Sequence, residues 1–268
     1  MKYLLFGILL LTGFSFGQLP QNGLIAHYPM DGSAIDVSVN GNNGLLSQTN
    51  AVSNRFGMPA SALEFDGVNS LFQTSTPGFF PLTGDFSISF WMFSTGQDRM
   101  HIFNVGDYSG GALDNFTLST NNGSAAYFYW NGPGNNALMW ANHSQLTNGK
   151  WHHLVLTRAS NQLSFYVDKT LMKTATFVGS IGSDLPLIIG NSDFKFKGKM
   201  DELAIYNRAL SAVEIASVFH EDQPFILLSP TIYDVYPEQT SCVFSWKADA
   251  SITLVDLEYS IIMDKVFK

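Results

Sequence analysis

Apolar residues at every second position constrain this chain most. In Asp85–Phe93, Phe86, Ile88, Phe90 and Met92 fall on one face and Ser87, Ser89, Trp91 and Phe93 on the other. Successive side chains of a strand point to opposite sides, so this pattern reads as a β-strand rather than a helix. Two large apolar residues on the second face imply cover on both sides, as in the interior of a sandwich. The same period predicts strands at Leu24–Pro29, Ala62–Phe65, His101–Val105, Asn115–Ser119, Ala125–Trp130, His152–Arg158, Gln162–Val167, Leu171–Phe177, Leu187–Ile189 and Met200–Tyr206. Turn clusters such as GNNG, DGVNS and NGPGNN separate them, and Ala159-Ser160-Asn161 reads as a hairpin connection. One helix is predicted over Ala212–Phe219. Ser211 and Glu214 have the spacing of a capping box, in which each side chain bonds the other's backbone amide.

The ends differ from this all-β body. Met1-Lys2 followed by an apolar run from Tyr3 to Phe16 predicts a secretory signal peptide over residues 1–17, cleaved after Gly17. The run is too short for an ordinary membrane span, so no membrane insertion is expected after its removal. After His220–Pro224 the composition shifts, and 224–268 is expected to open a second, smaller β-sandwich. About 45 residues are roughly half of an immunoglobulin-like unit, so a fragment or an unusual end is expected there. A single cysteine, Cys242, allows no intrachain disulfide, which leaves a metal ion as the candidate staple. The formal net charge of −8 argues against nucleic acid and anionic membrane surfaces as partners. The expected location is secreted or at the cell surface, extracellular or periplasmic.

Several stretches, in this order, carry a family resemblance: LIAHYPMDG (24–32), GNNG (41–44), RFG (55–57), LEFDG (63–67), FSISFW (86–91), GKWHHLV (149–155), FYVD (165–168), IIGN (188–191), FKGKMDEL (196–203) and YNRALS (206–211). Over 23–220 the chain resembles a laminin-G-like, concanavalin A-like lectin domain. That implies an antiparallel two-sheet jelly roll with one short C-terminal helix. Lys169-Thr170 stand where the family usually has a glycine turn, so that hairpin is expected to differ. The tail more weakly resembles a fibronectin-type-III-like module.

Some glycoside hydrolases share this jelly roll, so the neighbouring acids Asp201 and Glu202 raise the question of catalysis. A retaining glycosidase needs two carboxyl groups about 5–5.5 Å apart on one substrate. On an extended strand adjacent residues point apart, so no such dyad is expected and the chain reads as non-catalytic. His152 and His153 are expected to point apart too, one packed and one near the surface. The resemblance implies a structural calcium held by Asp31 and Asp201 with help from Asn43 and Gly44, since calcium takes carboxylate, amide and carbonyl oxygens from loops. Aromatic and amide residues near 127–142 are the candidate ligand surface: Tyr129, Trp130, Asn131 and Trp140, with Tyr108 as a second option. The expected partner is a glycan. The alternatives are an adhesion or scaffold protein that binds extracellular proteins, and an accessory domain of a larger secreted hydrolase.

Overall fold

A computed structural model describes residues 19–74, 84–96, 99–105, 115–121, 125–131, 139–142, 146–177, 186–190 and 194–219. The chain divides into two units. Leu19–Phe219 carries all the described structure. The other unit, Met1–Gln18 with His220–Lys268, holds the expected leader, the expected second sandwich and Cys242, and lies outside the described residues.

In chain order the strands are β1 Leu24–Tyr28, β2 Gly44–Ser47, β3 Asn50–Val52, β4 Ala62–Asp66, β5 Leu71–Thr74, β6 Phe86–Phe93, β7 Met100–Val105 and β8 Asn115–Asn121. They continue as β9 Ala125–Asn131, β10 Met139–Asn142, β11 Trp151–Ala159, β12 Gln162–Val167, β13 Thr170–Thr176, β14 Leu187–Ile189 and β15 Lys197–Tyr206. The helix α1 follows at Ala212–Val218. An eight-stranded sheet runs β13-β12-β11-β6-β15-β4-β3, with β1 also on β15; a seven-stranded sheet runs β10-β9-β8-β7-β14-β5-β2. All described pairings are antiparallel, giving the two-sheet jelly roll expected.

The core lies between the sheets and is rich in phenylalanine. Phe86, Phe90, Phe103, Phe116, Phe128 and Phe165 are fully buried. Phe116 stacks on Phe128 at 6.0 Å between centroids and meets Phe86 edge-on at 6.0 Å, a favourable aromatic arrangement. Phe86, Ile88, Phe90 and Met92 all point inward, as the alternation requires. A second, smaller cluster of Val155, Ala204, Tyr206, Leu210 and Ile215 seats α1 on the outer face of the eight-stranded sheet. The capping box is present: Ser211 Oγ accepts from Glu214 N–H, and the Glu214 carboxylate accepts from Ser211 N–H at 2.9 Å. Arg208 also binds Glu214 through two nitrogens, the shorter contact 2.6 Å, which lowers the Glu214 pKa to about 2.

Two local expectations change, and the β12–β13 hairpin differs as expected. The β11–β12 turn is two residues, since Ala159 pairs with Gln162, and Ser160 adopts φ 54°. The β12–β13 hairpin turns without glycine because Asp168 (φ 47°) and Lys169 (φ 60°) both take left-handed backbone, as a tight primed turn demands. His152 and His153 are both buried. The covers differ: His152 Nδ1 bonds Asp168 at 2.8 Å, whereas His153 Nε2 bonds Ser89 Oγ at 2.8 Å beneath the outer layer. Among the described residues no helix is long and apolar enough to cross a membrane.

Candidate functional site

The acid pair does not follow simple alternation. β15 pairs with β6 at Asp201↔Trp91 and again at Ala204↔Ser89, with a register irregularity between them. Glu202 is the extra residue, and its φ of 53° is left-handed. A bulge inserts one residue and resets which side each neighbour faces. Expecting the two acids to point apart on an extended strand is therefore incorrect here. Asp201 Oδ2 accepts from Arg55 Nη1 at 2.6 Å, and the Arg55 guanidinium lies 4.6 Å from the Trp91 ring on the outer face. Glu202 Oε2 lies 2.6 Å from His27 Nε2. His27 sits between Ala26 and Tyr28, both in the core, so it too belongs to the outer side. Both carboxylates thus lie on one side of the sheet, and both bear on Arg55 electrostatically.

Their environments differ sharply. Asp201 is 2% exposed, and burial pushes its carboxyl up to about 7 despite the opposing pull of Arg55. Burial likewise lowers the Arg55 pKa. Glu202 is about one-third exposed and reaches solvent beside His27. The Asp201 carboxylate is therefore buried against Arg55.

The residues expected to hold calcium have other partners. Asp201 faces Arg55. Asp31 is exposed and its Oδ1 accepts from Ser33 Oγ at 2.8 Å. Asn43 Oδ1 accepts from Asp36 N–H at 2.9 Å, and Gly44 N–H donates to Ala34 C=O at 2.7 Å. Calcium at all four would have to displace the Arg55 guanidinium from Asp201, and among the described residues no group of three His, Cys, Asp or Glu forms a metal site.

Sequence reasoning missed Asp36. Its carboxylate accepts from the backbone amides of His27, Ser38 and Asn42 and from Ser38 Oγ, all within 2.9 Å. Tyr28 Oη donates to Asn42 C=O at 2.5 Å, and Asn42 Nδ2 to Ile25 C=O at 2.8 Å. This network ties the 36–43 loop to β1. The local signal was Asp36-x-Ser38, an acid two residues before a hydroxyl, the pattern of a side-chain turn.

The register of the seven-stranded sheet sorts the candidate ligand residues. Tyr129 pairs with Thr117, which pairs with Asn104; Trp140 pairs with Tyr127, then Ser119, then His101. These are the rows off the core: Thr117 Oγ donates to Asn104 Oδ1 at 2.9 Å, while the alternate residues Leu118 and Phe128 are core. Trp130 instead pairs with Phe116, in a core row, and Asn131 with Asn115. Tyr108 lies outside the described residues.

The Laminin_G_3 model of the concanavalin A-like lectin/glucanases superfamily matches residues 66–216. The chain belongs to that superfamily. Among solved structures, this concanavalin A-like domain is similar to the binding domain of Paraclostridial Mosquitocidal Protein 1, with 17% identity and a TM-score of 0.60 over 75% of this chain and 52% of that one. It is similar to the receptor binding domain of botulinum neurotoxin C/D mosaic serotype, with 13% identity and a TM-score of 0.61 over 75% and 51%. It is also similar to Domain 4 of AbnA, a GH43 extracellular arabinanase from Geobacillus stearothermophilus, solved with arabinotriose: 18% identity, TM-score 0.55, 74% of this chain and 98% of that one. The chain spans about half the length of the two toxin domains. These likenesses show the fold. No curated protein matches the chain.

Proposed function

We propose that this concanavalin A-like domain is a secreted, non-catalytic module that binds glycans. The observation that carries the reading is membership of the concanavalin A-like lectin/glucanases superfamily over residues 66–216. On the seven-stranded sheet the rows off the core pair Asn104, Thr117, Ser119 and His101, all buried, with Tyr129, Tyr127 and Trp140. Aromatic positions of this kind suit the C–H faces of a sugar ring. Arabinotriose bound to the AbnA domain of similar fold supports the ligand class. The leader-like residues 1–17 support export. The closed Asp201–Arg55 pair supports binding without bond cleavage.

The test is a glycan array probed with the full chain, with and without a chelator. Saturable binding to a glycan family supports the proposal; binding only to proteins contradicts it. Calcium at Asp31, Asn43, Gly44 and Asp201 would require the Arg55 and Ser33 contacts to be given up. A melting temperature lowered by chelator supports the ion, and an unchanged one supports the ion pair as sufficient.

A further inference from the structure

The outer face of the eight-stranded sheet carries a second feature, on the side of the sandwich opposite the rows above. Five directly paired residues cross five strands in one line: Asn50, Glu64, Lys199, Phe93 and Trp151, from β3 through β4, β15 and β6 to β11. Directly paired residues in an antiparallel ladder point to the same side. That side is the outer one, because the alternate residues Leu63, Met92 and Met200 lie in the core. Asn50 is exposed, and the other four are part-exposed. Strand spacing makes the line about 19 Å long, enough for a short oligosaccharide rather than one sugar.

We propose that this row is a second carbohydrate-binding surface, taking an uncharged oligosaccharide laid across the strands. The proposal rests on the glycan reading above and adds a place to it. Trp151 and Phe93 form the stacking end, with ring centroids 5.8 Å apart and planes at 55°. The Lys199 ammonium lies over the Phe93 ring, 5.2 Å from its centroid, which leaves Trp151 as the principal stacking ring. Among the described residues, Lys199 and Glu64 form no ion pair although they are register partners. Their donors and acceptors are therefore open to hydroxyls. The charges of Lys199 and Glu64 offset each other, as do those of the next register pair, Lys197 and Asp66, which favours a neutral chain over an acidic one. A protein partner fits less well. Interface centres are depleted of Lys and Glu, and a stable complex needs about 800 Å² on each partner. This strip is bounded on one side by the covered Trp91–His153 row.

The experiment is isothermal titration of the full chain with neutral oligosaccharides of increasing length, chosen from the array. The wild type is compared with Trp151→Ala, Glu64→Gln, Lys199→Ala and Tyr129→Ala, and each melting temperature is recorded. The row predicts affinity that rises with length, a loss of tenfold or more in Trp151→Ala, and severalfold losses in Glu64→Gln and Lys199→Ala at unchanged melting temperature. Wild-type affinity in Glu64→Gln, Lys199→Ala and Trp151→Ala, with loss in Tyr129→Ala, overturns the row and leaves the glycan reading standing. No wild-type binding to any glycan, or binding only to a protein, overturns both.

Discussion

Two ends of one sheet face behave differently. Along β6 and β11, Trp91 and His153 are buried, while Phe93 and Trp151 two residues away on the same strands are part-exposed. The strands are the same and the side chains are similar, so the difference lies in the cover. Over the buried end, Phe219 stacks on Trp91 at 5.3 Å with planes at 21°, and Arg55 lies against Trp91 while binding Asp201. Beneath that cover Ser89 bonds His153 Nε2 and Arg55 Nη1 bonds Asp201, while Arg55 Nε has no hydrogen-bond partner among the described residues. Burying a polar atom costs free energy unless it is hydrogen-bonded, so these two contacts offset much of that cost. The uncovered end keeps Lys199 and Glu64 without ion-pair partners beside its rings, an arrangement suited to a ligand rather than to a core.

The comparison can be broken at the covered end. Arg55→Met leaves the Asp201 carboxylate buried without its cation and is expected to cost about 3–5 kcal/mol, measured by urea unfolding. The double variant Arg55→Met/Asp201→Leu should recover most of that loss; no recovery would mean that Arg55 acts through packing alone. Phe219→Ala strips the lid from Trp91 and is expected to cost about 3 kcal/mol. Trp151→Ala at the uncovered end should cost clearly less, and equal costs would erase the contrast. Glu202→Val forces a β-branched residue into left-handed backbone and should cost about 1–2 kcal/mol, whereas Glu202→Gly should stay near neutral.

A smaller effect comes from pH. The folded Asp201 carboxyl is raised from 3.8 to about 7, so the folded state holds a proton that the unfolded chain releases across that window. Its stabilising contribution is full below the lower value and is lost as pH rises through the upper one. The melting temperature of the wild type relative to Asp201→Asn should therefore fall between about pH 4 and pH 8. A difference constant with pH would place Asp201 ionised throughout.

Much of the fold was legible because long strands repeat their period. β6, β11 and β12 and the Ser211–Glu214 cap were readable from residues alone. The strands β2, β3, β5 and β10 were not: three or four residues hold few alternations, and unlike the equally short β14, an unbroken apolar Leu187–Ile189, they mix polar with apolar residues. Two of them matter to the sites: β3 brings Asn50 to the outer row, and β10 brings Trp140 beside Tyr127. The bulge at Glu202 left no local mark, because no glycine or asparagine announces its left-handed backbone. Arg55 lies 146 residues before Asp201, so only the assembled sheet reveals what holds that acid.

The most direct test pairs binding with cleavage on one oligosaccharide. The glycan bound most tightly by the full chain is titrated by calorimetry and then incubated with it while new reducing ends are measured. The account predicts saturable binding and no new reducing ends. Steady release of reducing ends that disappears in Glu202→Gln would make the acid pair catalytic and contradict a passive binding module.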